Sequence, residues 1–269
     1  MTRLVVFGHG RVGRQLAERF ATAADGWAVS VAGVESWRDE VARGVDMAVL
    51  SVTHGHEASE VVGALAAAPA PARLIVDLTT QSLASAERSA SLAGGVRYAA
   101  GGLTGGLGGL RTGSAVLLLG GAGLEPNEKR RLAAAGMVIE YPTVRQGVAA
   151  KLLHNWYQLA SSAALAEAVR VATELGMSPG GLIAALHTGP AGRPVPHHSL
   201  IRDWLNEPAT SYQVRLVLKD LAPILEMFDA VGGSPAAARV LDDVRRALLA
   251  AEPDEGFTAA LLQAPPAQQ

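Results

Sequence analysis

The sequence predicts an α/β fold in which an N-terminal doubly wound sheet is followed by an all-helical C-terminal domain. In the first half, short apolar runs alternate with helical patterns, which is typical of parallel βαβ units. A glycine-rich turn joins the first apolar run to the first helix. After residue 144 the chain shows helical periodicity only. We therefore expect a Rossmann-like domain over residues 1–144 and a helical domain over residues 145–269.

The composition excludes several classes of function. Apolar residues make up 49% of the 269 residues, which is enough for a sizeable core. The net charge of -2 gives no indication of a nucleic-acid or membrane partner. Cysteine is absent, so disulfides and thiolate chemistry are excluded. With no signal-peptide pattern and no bilayer-spanning apolar run, we expect a soluble cytoplasmic protein.

The first apolar run leads into the pattern GHGRVG and then into a helix. Gly8 permits a tight turn, Gly10 lets the backbone approach a pyrophosphate, and Gly13 allows close packing of the helix on the strand. The amides at the helix N-terminus attract phosphate. Because the pattern stands between a strand and a helix, it predicts a dinucleotide site rather than a structural turn. The residues of this predicted cofactor turn are Gly8, His9, Gly10, Arg11, Val12 and Gly13.

The second βα unit is shortened. A strand is predicted from Trp27 to Ala32, and one short helix then leads directly to the next strand, which begins at Met47. This leaves no room for the usual extra helix and strand beside the adenosine site. Glu35 would bind a pair of ribose hydroxyls and Arg38 a 2′-phosphate, or both are solvated charges at the start of a helix. Arg38 favours NADP over NAD as the cofactor.

Polar residues follow two further strands at their carboxyl ends, where ligands bind in open parallel sheets. Thr53 follows the third strand and is succeeded by His54 and His56. We reject a metal site at these histidines, because no further ligand has a suitable spacing. Thr79 and Thr80 follow the strand LIVDL, where they either contact the cofactor or cap the next helix.

Seven of the fourteen residues from 100 to 113 are glycine, and we expect no regular element there. Such a loop offers backbone N–H groups to a ligand carboxylate. Thr104 supplies a hydroxyl group within it. A low-complexity linker is the alternative, but apolar strand patterns flank the stretch on both sides.

One long helix is predicted from about Val144 to Leu175, where no proline interrupts a sequence rich in Ala, Leu, Gln and Glu. Lys151 and Asn155 lie four residues apart and therefore share one face. Either Lys151 extends to solvent from a helix end, or it serves a site. Burial in an apolar pocket would disfavour its charged form and let the amine exchange a proton near neutral pH.

Four motifs, in their order along the chain, resemble those of the β-hydroxyacid dehydrogenase superfamily, which includes 3-hydroxyisobutyrate dehydrogenases and is related to imine reductases. The first is the cofactor turn, and the second is a substrate loop that usually reads Pro-Val-Ser-Gly-Gly. The third is the catalytic-helix motif, and the fourth contains a lysine that approaches the cofactor. They are the segments 8–13, 102–106, 147–155 and 217–221.

The resemblance implies hydride transfer between NAD(P) and a small 3-hydroxy acid or related carbonyl compound. Lys151 would be the general acid/base at the substrate oxygen, and Asn155 would orient the substrate. Thr104 and the amides of Gly105 and Gly106 would hold the substrate carboxylate.

The resemblance also implies a second lysine and a partner subunit. Lys219 would reach the nicotinamide end of the cofactor. The helical domain of the family associates with a second copy, so we expect a homodimer or larger homo-oligomer. The shape of the substrate pocket would depend on Trp156 and on the loop 189–198.

Two other functions compete with this assignment. The segment 78–82, LTTQS, is similar to the corresponding strand end of imine reductases, although these generally lack the catalytic lysine. The shortened second unit suggests instead a dinucleotide-binding or catalytically degenerate homologue. The chain also departs from the family pattern at His154, where an asparagine is usual, and at Thr104, where a serine is usual.

After residue 176 the sequence predicts a compact helical domain. Helical patterns cover the segments 178–188, 197–206, 211–232 and 234–252. His197 and His198, at the end of the loop 189–198, are expected to be polar loop residues. We expect the last six residues, 264–269, to be disordered.

Overall fold

The computed structural model describes residues 2–22, 26–187, 213–232 and 235–263. It divides into two compact units, Met1–Leu152 and Leu153–Gln269. No helix within the described ranges is long and apolar enough to cross a membrane. The predicted loop 189–198, with His197 and His198, the predicted helix 197–206 and the terminal segment 264–269 lie outside the described residues.

The first unit contains a seven-stranded sheet. Its strands are β1 (Thr2–Phe7), β2 (Trp27–Ala32), β3 (Met47–Leu50), β4 (Leu74–Asp77), β5 (Arg97–Thr104), β6 (Ala115–Gly121) and β7 (Gly136–Tyr141). Their order in the sheet is β2-β1-β3-β4-β5-β6-β7. The first five strands are parallel, β6 runs antiparallel to β5, and β7 is parallel to β6. The carboxyl ends of β1 to β5 therefore lie along one edge of the sheet.

Helices connect the strands of the first unit. They are α1 (Arg11–Ala21), α2 (Trp37–Ala42), α3 (Gly55–Ala67), α4 (Leu83–Ala93), α5 (Gly106–Thr112) and α6 (Pro126–Leu132). The sequence had not predicted α6 or β7. Among the described residues no strand lies outside β2, which agrees with the shortened second unit and leaves most of β2 only half-buried.

The core of this unit explains why the strand ends are held firmly. All four residues of β3 and of β4 are buried, as expected for strands covered on both faces. Leu16 and Phe20 of α1 are fully buried in the same cluster as Leu4 and Val6 of β1. Burial of each such side chain contributes about 1.5–3 kcal/mol. The sheet edge is thus a rigid support for the loops that follow it.

The glycine-rich stretch 100–113 is regular, and the expectation of an irregular loop was wrong. Its first residues belong to β5, and most of its second half forms α5. The glycines serve close packing there: a Cβ on Gly101 would overlap the carbonyl oxygen of Leu118 on β6. Sequence composition cannot distinguish glycines that loosen a chain from glycines that let two segments approach.

The long helix α7 (Val144–Glu174) confirms the predicted helix, and its opening turns belong to the first unit. The second unit then contains α8 (Pro179–His187), α9 (Val214–Ala230), α10 (Pro235–Leu249) and α11 (Phe257–Gln263). Helix α9 buries Val217, Leu221 and Ile224 at helical spacing and packs against α10 and α11. The described part of the second unit is all-helical, as predicted.

Candidate cofactor and substrate site

The predicted cofactor turn connects β1 to α1, and two of its glycines meet protein backbone. Gly8 has a φ of 128°, which favours glycine, and a Cβ there would lie 2.7 Å from the carbonyl carbon of Ser51. A Cβ on Gly13 would overlap the carbonyl oxygen of Gly8 and lie 2.9 Å from its carbonyl carbon. Helix α1 therefore packs directly on the turn that ends β1.

Gly10 has different surroundings. It is the N-cap of α1, no side chain accepts a hydrogen bond in the cap, and no heavy atom lies within 4 Å of its Cβ position. His9 and Arg11 beside it are exposed, whereas Val12 packs against the core. An open helix N-terminus with uncapped amides fits the pyrophosphate of a dinucleotide.

The turn after β2 lies next to the cofactor turn, since a Cβ on Gly33 would lie 3.2 Å from the Cβ of His9. The hydroxyl of Ser36 accepts a hydrogen bond from the Gly33 amide at 3.1 Å. Arg38 is exposed, and its guanidinium lies 4.2 Å from the centre of the Trp37 ring. This cation–π contact restricts a positive charge to the surface near the predicted adenosine end.

The carboxyl end of β3 leads into the first turn of α3. The carboxylate of Glu57 accepts hydrogen bonds from the backbone amides of Thr53 at 3.0 Å and His54 at 3.2 Å. The rings of His54 and His56 stack with their centres 5.5 Å apart. Thr53 is exposed, and no group of three or more potential metal ligands occurs in the described ranges.

A buried carboxylate ends β4. Asp77 is fully buried and accepts hydrogen bonds from the Thr79 amide at 2.9 Å, the Gln81 side chain at 2.7 Å and the Tyr98 hydroxyl at 2.9 Å. Burial raises the pKa of Asp77 above its ordinary value, although its hydrogen-bond donors oppose the shift. Burial, followed by the charge of Asp77, raises the pKa of Tyr98. This network fixes the turn from Thr79 to Gln81.

The two threonines in that turn differ in accessibility. Thr79 is 1% exposed, whereas Thr80 is half-buried. Neither caps the next helix, because the N-cap of α4 is Ser82, whose hydroxyl accepts a hydrogen bond from the Ser85 amide. The capping alternative was therefore wrong, and cofactor contact by Thr79 and Thr80 stays a prediction.

The predicted substrate loop starts where β5 ends. Thr104 is the last residue of the strand and is half-buried. Gly105 follows as the N-cap of α5, with a φ of 89°, and Gly106 begins the helix. Both glycines are exposed, and amides in the first turn of a helix have no intrahelical partner. The hydroxyl and two amides adjacent to it are suitable donors for a carboxylate.

Lys151 lies in the first unit, at the same strand end. It is 9% exposed, and its Nζ donates a hydrogen bond to the carbonyl oxygen of Leu103 at 2.7 Å. The start of α7 lies directly on the sheet, because a Cβ on Gly147 would overlap both Ala100 and Gly120 backbone atoms. The alternative in which this lysine extends to solvent was therefore wrong.

Asn155 and Lys219 belong to the second unit, where Asp220 links them. Asn155 is 9% exposed and its amide donates a hydrogen bond to Asp220 Oδ2 at 3.2 Å. The Nζ of Lys219 lies 3.2 Å from Asp220 Oδ1. Asp220 is 2% exposed, so the carboxylate orients both predicted site residues from within the helical core.

Trp156, which we expected to line the substrate pocket, packs against α9. Its ring centre lies 5.3 Å from that of Phe228 in a tilted arrangement. Its Nε1 is buried without a hydrogen-bond partner among the described residues. The contact shows that the tryptophan has a packing role, and its role toward substrate stays a prediction.

Sequence reasoning missed the importance of Asp77 and Gly102. Asp77 carried a usable signal, because a carboxylate in the otherwise apolar strand LIVDL must find buried donors. A Cβ on Gly102 would overlap Cγ of Lys151, 49 positions later in the chain, and the substrate-loop motif gave no sign of that contact. Asp220 was visible only as a neighbour of Lys219 in a motif.

Comparison with known proteins places this geometry in a family. Residues 3–136 match the family model described as the NAD binding domain of 6-phosphogluconate dehydrogenase. No protein of curated function has a sequence that matches this chain. The match confirms that the cofactor is a nicotinamide dinucleotide.

Solved structures share the fold over nearly the whole chain. A Mycobacterium tuberculosis 3-hydroxyisobutyrate dehydrogenase with L-serine has a TM-score of 0.82 and 23% identity, covering 97% of this chain and 98% of the other. The same enzyme from Salmonella typhimurium has a TM-score of 0.75 and 18% identity, covering 97% and 99%.

A more distant similarity links the chain to reductases of C=N bonds. A reductive aminase from Aspergillus terreus, in complex with NADPH and ethyl levulinate, has a TM-score of 0.58 and 19% identity, covering 97% and 98%. These similarities confirm the predicted fold, and the domain match confirms the predicted family. The chain is thus a member of the β-hydroxyacid dehydrogenase superfamily of NAD(P)-dependent oxidoreductases, and it has the fold of the 3-hydroxyisobutyrate dehydrogenases.

Proposed function

We propose that the protein transfers a hydride between NADP and a small 3-hydroxy acid or related carbonyl compound, with Lys151 as general acid/base. The observation that carries this proposal is the position of the Lys151 amine. It is buried at the carboxyl end of β5, where it donates a hydrogen bond to the carbonyl oxygen of Leu103, the residue before Thr104. The cofactor turn lies on the same edge of the sheet. Ligands of open parallel sheets bind at this edge.

The cofactor would supply the hydride, while the protein supplies orientation and proton transfer. Gly10 and the amides of α1 would bind the pyrophosphate, supported by the open space at that helix start. Thr53 and Thr80 would line the nicotinamide half from the ends of their strands. Lys219, oriented by Asp220, would contact the nicotinamide end.

The amine of Lys151 would give a proton to the substrate oxygen during reduction and take it back during oxidation. The Leu103 carbonyl holds the amine through a hydrogen bond that fixes its direction. Thr104 and the amides of Gly105 and Gly106 would bind the substrate carboxylate beside it. Asn155 would orient the substrate, since Asp220 fixes its amide.

Replacement of Lys151 by alanine tests this assignment. We expect kcat for oxidation of 3-hydroxy acids to fall by about 10²- to 10⁴-fold, the range of general acid–base catalysis, while NADPH still binds. Lys129→Ala is the matched control, because Lys129 is an exposed lysine paired with Glu140. Unchanged oxidation of every accepted hydroxy acid by Lys151→Ala would refute the role of this amine.

The preference for NADP is supported by Arg38, which carries an exposed charge close to the cofactor turn. We expect Arg38→Ala to weaken NADPH binding about tenfold or more, the effect of losing one charge-assisted hydrogen bond, and to leave NADH binding unchanged. Fluorescence titration of both cofactors measures this. Equal losses for the two cofactors would contradict contact with a 2′-phosphate.

Imine reduction is the second candidate, and the fold similarity to the Aspergillus terreus reductive aminase favours it. Assays with cyclic imines and with 3-hydroxy acids separate the two reactions. A faster reaction with the imine, unaffected by Lys151→Ala, would favour imine reduction. Failure to bind NADPH or NADH at about millimolar concentration, where typical cofactor sites are saturated, would instead favour a degenerate homologue.

A second copy of the chain is the proposed partner. Along α7 the large side chains of Leu153, Tyr157 and Val171 are each at least 40% exposed, and so is that of Leu175, the residue that follows the helix. Burial of such side chains against an identical helix would stabilise a homodimer. Light scattering of the purified protein tests this, and a monomer at all concentrations would refute it.

A further inference from the structure

We propose that Gly102 is a positioning residue for Lys151, because its missing side chain leaves the space in which the lysine side chain lies. The proposal rests on the proposed role of Lys151 and adds a residue to it. Gly102 is buried in β5, and a Cβ built on it would overlap Lys151 Cγ and lie 2.7 Å from Cδ and 3.1 Å from Cβ. Real Cβ atoms essentially never approach another atom closer than 3.0 Å.

The neighbouring glycine shows that this contact is unusual. The missing side chain of Gly101 leaves room for backbone, since the nearest atoms to its Cβ position belong to the Leu118 carbonyl and Gly147. At Gly102 all three nearest atoms belong to the side chain of Lys151. Adjacent glycines in one strand thus have separate functions: Gly101 lets the segments pack, and Gly102 admits one functional side chain.

Two contacts then define where the amine lies. The aliphatic part of Lys151 crosses the Cα of Gly102, and the Nζ donates to the carbonyl of Leu103, the next residue. Since the clash involves Cγ and Cδ, an added methyl group would displace the stem of the side chain and not merely its flexible tip. The amine would then leave the Leu103 carbonyl and its position next to Thr104.

The test is the single substitution Gly102→Ala, compared with Lys151→Ala and with the double variant. Reactivity of the Lys151 amine is measured by acetic anhydride labelling and peptide mass spectrometry, without substrate. Gly102→Ala should raise labelling about tenfold, as expected for loss of one hydrogen bond that protects the amine. It should lower kcat about 10- to 100-fold, as expected for a displaced catalytic group, with little change in the Kd for NADPH.

Thermal unfolding decides the steric part independently of activity. Gly102→Ala should destabilise the wild-type protein, whereas the same change should have little effect in the Lys151→Ala background, where Cγ and Cδ are absent. The test remains decisive even if Gly102→Ala alone fails to fold, since the double variant should then fold again. Gly63→Ala is the control, because no heavy atom lies within 4 Å of its Cβ position in α3.

The outcomes separate this inference from the proposed function. Unchanged labelling and kcat in Gly102→Ala, or equal destabilisation with and without Lys151, would overturn the positioning role. Full activity of Lys151→Ala would overturn the catalytic role of the lysine, while labelling and unfolding would still decide whether Gly102 positions its amine.

Discussion

Two glycine-rich stretches of the first unit have similar compositions and different functions. In the cofactor turn, Gly13 packs on backbone, and the Cβ position of Gly10 is open. In the second stretch, Gly101 packs on backbone, and the space beside Gly102 is filled by Lys151. Each stretch therefore combines glycine that packs on backbone with one glycine for which we propose a functional role. The difference lies in what occupies the space beside the second glycine: it is open at Gly10, where we propose that the pyrophosphate binds, and it holds a protein side chain at Gly102.

The largest effect is expected at Gly13 and Gly101, which both pack on backbone. Gly13→Ala and Gly101→Ala would each force a methyl group onto a carbonyl oxygen, and we expect a loss of about 3 kcal/mol or more in the free energy of unfolding. Urea denaturation measures this. A loss below about 1 kcal/mol, the typical value for any substitution, would mean that the strands and helix separate easily. It would contradict the claim that these two glycines are required for packing.

A smaller effect is expected at Gly10. The free energy of unfolding of Gly10→Ala should be unchanged, because its Cβ position is open. A methyl group there would keep the pyrophosphate from the backbone, so we expect the Kd for NADPH to rise about tenfold, or about 1.4 kcal/mol. Unchanged affinity, measured by nicotinamide fluorescence, would show that the open space is not the phosphate site.

The buried end of β4 gives a pH-dependent prediction. The pKa of Asp77 is raised in the folded state, so the native protein keeps this proton to higher pH than the unfolded chain does. Stability contributed by that proton is lost as pH rises from the ordinary value of 3.8 through the raised value. The stability of Asp77→Asn should not fall in this way, because the amide does not titrate. Its free energy of unfolding should therefore rise relative to that of the wild type by up to about 1.4 kcal/mol per pH unit across that window.

Urea denaturation between pH 4 and about pH 8, the range in which most folded proteins are stable, measures this difference. The control is Asp39→Asn, because Asp39 is an exposed carboxylate on α2. A stability difference between Asp77→Asn and wild type that stays constant with pH would show that burial does not govern this carboxyl group.

The smallest effect is expected at a glycine with neither function. Gly63 lies within α3 with no heavy atom near its Cβ position. Gly63→Ala should stabilise the protein by about 0.5–1 kcal/mol, since glycine is a poor helix former. Thermal unfolding measures it, and a destabilised variant would mean that open Cβ positions do not identify replaceable glycines.

Local patterns in the sequence were sufficient for much of the architecture. The strand, glycine turn and helix at residues 4–21 and the uninterrupted helix α7 follow from periodicity and from glycine placement, which act over a few residues. The predictions failed where the outcome depended on distant residues. Ser82 and not Thr79 caps α4, because Asp77 and Tyr98 hold the preceding turn.

By itself, the sequence determined the order of most elements, the dinucleotide turn and the family, because these depend on short patterns and their order along the chain. Only the tertiary structure decided that Gly102 and Leu103 hold Lys151, that Asp77 is buried among its donors, and that the stretch 100–113 is regular. The physical reason is packing: the space beside a residue is filled by segments far away in sequence, and composition does not record which segment fills it.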